Sequence, residues 1–149
     1  MPANTSPIYS IVGHVESAVS NTAGTMAGPT ANTSTDGSGT LIKIFTAGAN
    51  GSYIQKIRFR PVAASAGSVA ATVCRVFISS SSTTSTTATW LYDEITLPAV
   101  TMSNTAASSV FELPLNIALN PNYLLYVTFG TSTGTSPSGY SIVTIAGDY

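Results

Sequence analysis

Charge is what this sequence has least of. Its 149 residues include 5 Lys and Arg, 6 Asp and Glu and 1 His, so charged residues make up 7% and the formal net charge is -1. Ordinary soluble domains carry about 25% charged residues. Proteins that bind nucleic acid electrostatically need many cations to neutralise phosphates. Five scattered cations therefore predict no nucleic-acid partner, and a surface covered mainly by hydroxyl groups and backbone.

Cysteine and long apolar runs are also scarce. Cys74 is the single cysteine, which excludes an intrachain disulfide framework. No stretch reaches the roughly 18 apolar residues that a transmembrane helix needs, so no membrane partner is expected. The N-terminal sequence lacks a basic segment followed by an apolar one, and we therefore expect no signal peptide.

Residues that favour strands are plentiful. Hydrophobic residues make up 44% and there are 43 serines and threonines, whereas strong helix formers are few. No 3.6-residue periodicity is sustained, and short apolar segments alternate with turn residues. The predicted strands are 8–12, 41–46, 52–60, 69–78, 90–97, 109–113, 123–129 and 140–146. This pattern predicts an all-β fold, a two-sheet antiparallel sandwich that is jelly-roll-like, with about eight strands and minimal helix. A closed barrel is the alternative.

The chain divides at about residue 40. Residues 1–39 read as a loop-rich N-terminal arm, and residues 40–149 as the sandwich domain. Within the arm, Ile8, Tyr9 and Ile11 belong to a short apolar alternation. The arm is either a flexible tail or a segment that orders against a neighbour or adds an edge strand to the sheet. Two Ser/Thr-rich tracts, 79–87 and 131–139, predict surface loops.

The segment 52–60 alternates in a way that separates core from surface. A period of two places Tyr53, Gln55, Ile57 and Phe59 on the core face. The same period places Ile54, Lys56, Arg58 and Arg60 on the exposed face. Three of the five cations are thereby gathered on one strand. The segment 69–78 is apolar on both faces, which predicts a central strand or one that faces a partner.

Groups that perform catalysis are few. A Cys–His pair would need His14 to meet Cys74, and a Ser–His–Asp triad would also have to use His14, the only histidine. Asp93 and Glu94 are adjacent in a predicted strand and point to opposite faces, so we expect one to be solvated and the other to pair with an arginine: Arg58, Arg60 or Arg75. No Cys/His cluster or acidic loop favours a metal. The sequence therefore predicts no enzyme, no metal and no cofactor.

Six segments of the last two thirds of the chain follow one another in the order seen in a known family. They are GSYIQKIRFRP (51–61), CRVFI (74–78), LYDEITLP (91–98), FELPLNIAL (111–119), YLLYVTFGT (123–131) and GDY (147–149). Residues 40–149 thus resemble small bacteriophage virion proteins that decorate or cement the capsid. The resemblance implies a jelly-roll-like sandwich bound outside an icosahedral shell, often as a symmetric oligomer.

That resemblance sets the functional expectations. It implies a structural protein of the capsid exterior, made in the bacterial host cytoplasm, whose partner is the major capsid protein. A homo-oligomer is expected, with a trimer favoured over a dimer. The candidate interface residues are Lys56, Arg58, Arg60, Trp90, Tyr92, Ile8, Tyr9 and Ile11. The alternative is a carbohydrate-binding or fibre module that receives a host glycan by stacking on Trp90, Tyr92 and Tyr140.

Overall fold

The computed structural model describes residues 12–18, 30–63, 67–134 and 138–149, and within these ranges the regular structure is entirely β. No helix in these ranges is long and apolar enough to cross a membrane. The strands are β1 Val12–Ala18, β2 Ile42–Thr46, β3 Ser52–Val62, β4 Ser68–Val69, β5 Thr72–Ser79, β6 Thr89–Leu97, β7 Val100–Thr101, β8 Phe111–Leu119, β9 Leu124–Phe129 and β10 Gly139–Asp148.

Two four-stranded antiparallel sheets form a sandwich. The first sheet has the order β1-β10-β3-β8 and the second has the order β2-β9-β5-β6, while β4 and β7 form a separate short pair. Among the eight long strands, the first pairs with the last, the second with the seventh, the third with the sixth, and the fourth with the fifth. This is the pairing of one long hairpin rolled over two sheets, which defines a jelly roll. The predicted two-sheet, jelly-roll-like sandwich is therefore confirmed.

The core lies between the two sheets. Its largest fully buried side chains are Ile44, Phe45, Ile54, Ile57, Phe59, Val69, Val76, Leu97, Leu125, Val127 and Phe129. Every long strand of the second sheet and the central strands of the first contribute to this cluster or pack against it. Residues separated by two along a strand share its inner face, and Ile57 and Phe59, predicted to face inward, are in this core.

The predicted faces of the second strand are wrong at its start. Ile54 is fully buried and Tyr53 is 38% exposed, the reverse of the expectation, and Gln55 is exposed. Lys56 pairs with Ile145 and Ile54 with Ala146, so Gln55 is the extra residue of a β-bulge against β10, whereas against β8 the extra residue lies on β8, between Pro114 and Ile117. The extra residue shifts the alternation by one position, so the residues before it point to the face opposite to the predicted one. After the bulge, Ile57 points inward and Arg58 outward, as predicted.

Two other predicted strands differ in extent. The segment 69–78 is split: Val69 pairs with β7 and Ala71 is exposed, while Thr72–Ser79 forms the central strand β5. The strand predicted over 109–113 runs instead from Phe111 to Leu119, through Pro114. Because β8 is an edge strand, the missing N–H of a proline removes no necessary ladder bond.

The N-terminal region supplies an edge strand. β1 pairs with β10 along its whole length, from Val12 with Asp148 to Ala18 with Ile142. The predicted strand at 8–12 overlaps it only at Val12, and Ile8, Tyr9 and Ile11 lie outside the described residues. Residues 12–18, part of the predicted arm, thus belong to the first sheet. The division at residue 40 stays a prediction.

A small second cluster sits on the outer face of the second sheet. Phe77, Leu124 and Tyr126 are buried there, with Leu41 against them. The Tyr126 hydroxyl donates a hydrogen bond of 3.2 Å to the carbonyl oxygen of Ser82. The Ser/Thr tract 79–87 therefore lies at the surface as predicted, but is fastened over this cluster. This explains why β5 is apolar on both faces.

Candidate interaction surfaces

The outward-facing cations of β3 form the first candidate surface, the basic stripe, defined as Lys56, which is half-buried, and Arg58 and Arg60, which are exposed. After the bulge, the period of two directs these side chains away from the core. Glu112 on β8 lies opposite Arg58 in the register. Lys56 Nζ is 2.9 Å from Glu112 Oε2, and Arg58 Nε is 3.7 Å from Glu112 Oε1. One carboxylate thus serves two cations, and the stripe keeps a net positive charge.

The carboxylate of this group responds to the cations. The hydrogen bond from Lys56, followed by the charges of Lys56 and Arg58, lowers the pKa of Glu112 below its ordinary value. Arg60 is exposed and forms no ion pair with any other described residue. The stripe therefore stays positive at neutral pH and leaves Arg60 free to pair with a partner.

Apolar side chains surround the basic stripe on the same outer face. The strand register places Val15, Ile145, Lys56 and Pro114 in one row across the sheet. Val143 lies beside Arg58 in the next row. Val15 is 64% exposed, more than any other large hydrophobic residue in the part of the chain that the structure describes. The outer face of the first sheet thus combines apolar area with positive charge, a composition suited to contact with another protein.

The second candidate surface is the aromatic edge, defined as Trp90, Leu91 and Tyr92. These residues lie on β6, the end strand of the second sheet, and are 49%, 39% and 43% exposed. The sequence predicted Trp90 and Tyr92 as interface candidates, but missed Leu91. The signal was available, because three consecutive large apolar residues on a strand point to both sides and a single core cannot cover them all.

The acids next to the aromatic edge behave as expected. Arg75 Nε donates to Glu94 Oε1 at 2.7 Å, while Asp93 accepts a hydrogen bond from the backbone N–H of Glu94. Arg75 Nη1 also donates to the carbonyl oxygen of Asn32 at 3.3 Å. The prediction that one acid of the pair binds an arginine is confirmed. A cavity of about 390 Å³ beside Arg75 is lined mainly by small and hydroxyl side chains. The Arg75 guanidinium that borders this cavity is already bonded to Glu94 and to Asn32.

His14 lies in a polar network between β1, β10 and β3. Its Nδ1 is 3.1 Å from Asp148 Oδ1, and the Ser52 hydroxyl donates to the same carboxylate oxygen. Asp148 thus stands between the serine and the histidine, whereas a nucleophilic triad needs the histidine in the middle. The His14 ring also packs on Phe45, with centroids 4.6 Å apart. These contacts hold β1 to the rest of the sandwich.

The network affects the titration of Asp148. Partial burial opposes the charged form, but hydrogen bonds from Ser52 and His14 outweigh it and lower the pKa of Asp148 below its ordinary value of 3.8. A lowered pKa contributes stability above about pH 4, and that stability is lost as the pH falls through the lowered pKa. Glu16 lies beside this network. Its carboxylate is 4.0 Å from His14 Nε2 and 4.0 Å from Lys43 Nζ, and it accepts a hydrogen bond from the backbone N–H of Thr46.

Replacing Asp148 by asparagine is expected to reduce stability at pH 7 by up to about 1 kcal/mol, the worth of a partly exposed charged contact. Because the variant loses the titration, its stability should also fall less steeply below about pH 4. Urea denaturation at pH 7 and at pH 3 measures both effects. Asp93→Asn is the matched control, since Asp93 bonds only a backbone N–H among the described residues. Equal stability and equal acid slope in Asp148→Asn and the native chain would contradict this role.

Two further side chains named from the sequence are in the core. Cys74 is fully buried, and burial raises the pKa of its thiol far above the ordinary value. Tyr140 is 5% exposed, stacks on Phe129 with centroids 6.0 Å apart, and donates to the carbonyl oxygen of Pro98. Burial raises the pKa of Tyr140 to about 12. The expectation that Tyr140 is presented for stacking on a sugar is therefore wrong. Of the three aromatic residues named for that role, Trp90 and Tyr92 are exposed.

The candidate residues thus fall into two groups that the fold keeps apart. The basic stripe lies on the outer face of the first sheet, and the aromatic edge lies at the end of the second. Comparison with known proteins adds no further assignment, since no protein-family model, no curated protein and no solved structure matches this chain.

Proposed function

We propose that this protein is a structural component of a bacteriophage particle, which binds the outside of the icosahedral capsid and stabilises it by bridging neighbouring capsomers. The observation that carries the proposal is the outer face of the first sheet, where the basic stripe stands among exposed apolar side chains on a jelly-roll sandwich. The ordered segments that resemble capsid decoration proteins support the same function. The major capsid protein is the proposed partner.

Binding to the assembled shell explains how such a surface stabilises a capsid. A protein that binds only the assembled state shifts the equilibrium towards assembly by mass action. Apolar contacts around Val15 and Ile145 would supply burial, and the cations would pair with acidic groups of the shell. Few charges then need to be desolvated at each contact, which keeps the cost of burial low.

The decisive experiment compares bare and decorated capsids. The protein should co-sediment with capsids that lack it, and decorated capsids should retain their contents at a higher temperature than bare ones. Failure to bind bare capsids, or equal loss of contents from both particles on heating, would overturn the proposal.

Replacing Arg60 by glutamate is expected to weaken capsid binding about tenfold, because it turns an attraction at the interface into a repulsion. Binding of the native chain should also weaken as salt rises, since exposed charge pairs are screened. Co-sedimentation at increasing protein concentration measures the affinity. Lys43→Glu is the control, with the same charge change on β2, outside the stripe. Because Lys43 lies 4.0 Å from Glu16, urea denaturation first checks that this variant keeps the stability of the native chain. Equal losses in the two variants would assign the effect to net charge and not to this surface.

A carbohydrate-binding or fibre module is the second candidate function, favoured by the exposure of Trp90 and Tyr92. Aromatic rings with one free face bind sugars by stacking. A glycan array separates the two functions: specific sugar binding that is lost in Trp90→Ala supports the module, whereas capsid binding without glycan affinity supports the decoration protein.

A further inference from the structure

β1 is attached to the sandwich through two different kinds of contact. Its backbone pairs with β10 in the first sheet, from Val12 to Ala18. Two of its side chains, His14 and Glu16, reach β2 in the second sheet instead. Among residues 13–16, whose side chains the structure describes, none belongs to the hydrophobic core. Over this stretch β1 is therefore held by a strand ladder and by polar side chains, with little contribution from apolar burial.

The side-chain contacts of β1 depend on charge. Glu16 Oε2 accepts a hydrogen bond of 2.7 Å from the backbone N–H of Thr46, and the same carboxylate lies 4.0 Å from Lys43 Nζ. His14 Nδ1 lies 3.1 Å from the carboxylate of Asp148 on β10, and His14 Nε2 lies 4.0 Å from Glu16. These four titratable residues, His14, Glu16, Lys43 and Asp148, form what we call the charged junction.

The strands packed against β1 bring no further charge to this junction within the described ranges. β10 contributes Asp148 and β2 contributes Lys43, whereas β3 contributes the hydroxyl of Ser52, which does not titrate. The cations of the basic stripe point to the outer face of the first sheet and pair there with Glu112. The charge of the junction is thus set by two carboxylates, one imidazole and one ammonium group.

We propose that β1 is an acid-released strap, which opens from β10 and β2 below about pH 4 while the rest of the sandwich stays folded. Protons added to Glu16 and Asp148 remove both negative charges of the junction. His14 is protonated at that pH, so His14 and Lys43 then face each other as two cations with no carboxylate between them. An attraction that held the strap closed becomes a repulsion.

The titration of Asp148 gives the direction of this response. Burial disfavours its charged form, but hydrogen bonds from Ser52 and His14 together lower the pKa of Asp148 below the ordinary 3.8. A group with a lowered pKa contributes stability at neutral pH, and this stability is lost as the pH falls through the lowered value. The strap is therefore closed at neutral pH and opens on the acid side.

The rest of the sandwich does not rely on the charged junction. The Thr144 hydroxyl on β10 donates a hydrogen bond of 3.2 Å to the carbonyl oxygen of Ile44 on β2, and both residues are buried. β10 also pairs with β3 on its other side, from Gly139 to Asp148. No acidic side chain of the described ranges is buried in the core, so acid finds no buried carboxylate to protonate there. Opening β1 alone thus costs less free energy than unfolding the two sheets.

Opening changes what the first sheet presents. It uncovers the edge of β10 and the ring of Phe45, which packs against His14 in the closed form. It also removes Val15 from the apolar row that Val15 forms with Ile145 beside the basic stripe. Acid should then weaken the capsid contact. This last consequence rests on the proposed function, whereas the opening of β1 does not.

Hydrogen exchange of the full chain at pH 6 and at pH 3 tests the opening, with no capsid present. After correction for the intrinsic effect of pH on exchange, the protection of the β1 amides should fall about tenfold, because two partly exposed charged contacts are lost. Amides of β5 should keep their protection, since β5 lies between β9 and β6 in the second sheet. Equal protection of β1 at the two pH values would overturn the proposal. So would a joint loss in β1 and β5, which would mean that the whole sandwich unfolds.

Glu16→Gln tests the role of charge in the strap. Glutamine keeps a side-chain oxygen that can accept the N–H of Thr46, but it carries no charge at any pH. The variant should lose β1 protection about threefold already at pH 6, and its protection should fall less than that of the native chain between pH 6 and pH 3. Protection of β5 in the same sample shows that the variant is folded.

Glu94→Gln is the matched control for Glu16→Gln. It removes a carboxylate bonded to Arg75 on β6, at the opposite end of the second sheet from β2. It should leave the exchange of β1 and its pH dependence unchanged. Equal losses of β1 protection in the two variants, or an acid response in Glu16→Gln as large as that of the native chain, would overturn the proposal.

Discussion

Replacing Ile54 by alanine is expected to destabilise the fold by about 2–5 kcal/mol, whereas replacing its neighbour Tyr53 by alanine should cost about 1 kcal/mol or less. Ile54 is fully buried between the sheets, so its truncation leaves a cavity. Tyr53 is 38% exposed, and its hydroxyl donates a hydrogen bond of 3.3 Å to Asn116. Urea denaturation of both variants measures the difference.

The comparison is a direct test of the bulge at Gln55. With unbroken alternation from Phe59 backwards, Tyr53 would be the core residue and Ile54 the exposed one. The larger loss would then fall on Tyr53→Ala. Ile57→Ala is a control that both arrangements predict to be costly, since Ile57 is buried in either case. A loss in Tyr53→Ala as large as that in Ile57→Ala would contradict the register described here.

The bulge marks the limit of what alternation can predict. The strands β3, β5, β6 and β9 were located from short apolar segments between turn residues, and a period of two gave the faces of β3 correctly from Ile57 onward. An extra residue reverses the faces, and its position depends on how two neighbouring strands pair, which is information that lies elsewhere in the chain. Isoleucine and tyrosine are both good strand residues, so nothing local told Ile54 from Tyr53.

Long-range pairing limited the prediction of the surfaces as well. The basic stripe was found because its cations lie on one strand. The apolar rows around it could not be found, since Val15 and Ile145 are brought together with Lys56 by the register of three strands distant in sequence. The network of His14, Ser52 and Asp148 has the same origin. Such groupings follow from the topology of the sheets, and no short sequence motif predicts them.

Low charge gains a specific meaning from this arrangement. In the sequence alone, the small number of charged residues only excluded classes of function. In the fold, the Glu112 carboxylate is shared by two cations and Arg60 is left on an exposed face, while Glu94 is bound to Arg75. The charges left available for a partner are thus few and sit beside apolar area. This combination suits a protein that works in contact with its neighbours, because desolvating each contact costs little.

Replacing Gly51 by alanine is expected to destabilise the fold by about 1–3 kcal/mol or more, because it combines backbone strain with a steric clash. Gly51 has φ 94°, a backbone angle that residues with an L side chain rarely adopt. It ends a turn in which its own N–H donates a hydrogen bond to the carbonyl oxygen of Gly48. A Cβ atom there would lie 2.6 Å from the carbonyl oxygen of Leu119, so the start of β3 would have to move away from β8.

Gly13→Ala is the matched control for Gly51→Ala, since a Cβ atom on Gly13 would meet no atom within 4 Å and its backbone lies in the extended strand β1. That substitution should be neutral or slightly stabilising, because alanine loses less backbone entropy on folding than glycine. Thermal or urea denaturation of both variants gives the comparison. Equal stabilities would mean that the turn at Asn50 and Gly51 can relax without disturbing the pairing of β3 and β8. A selective loss in Gly51→Ala instead ties this turn to the edge of the first sheet, a few residues from the bulge that turns Ile54 into the core.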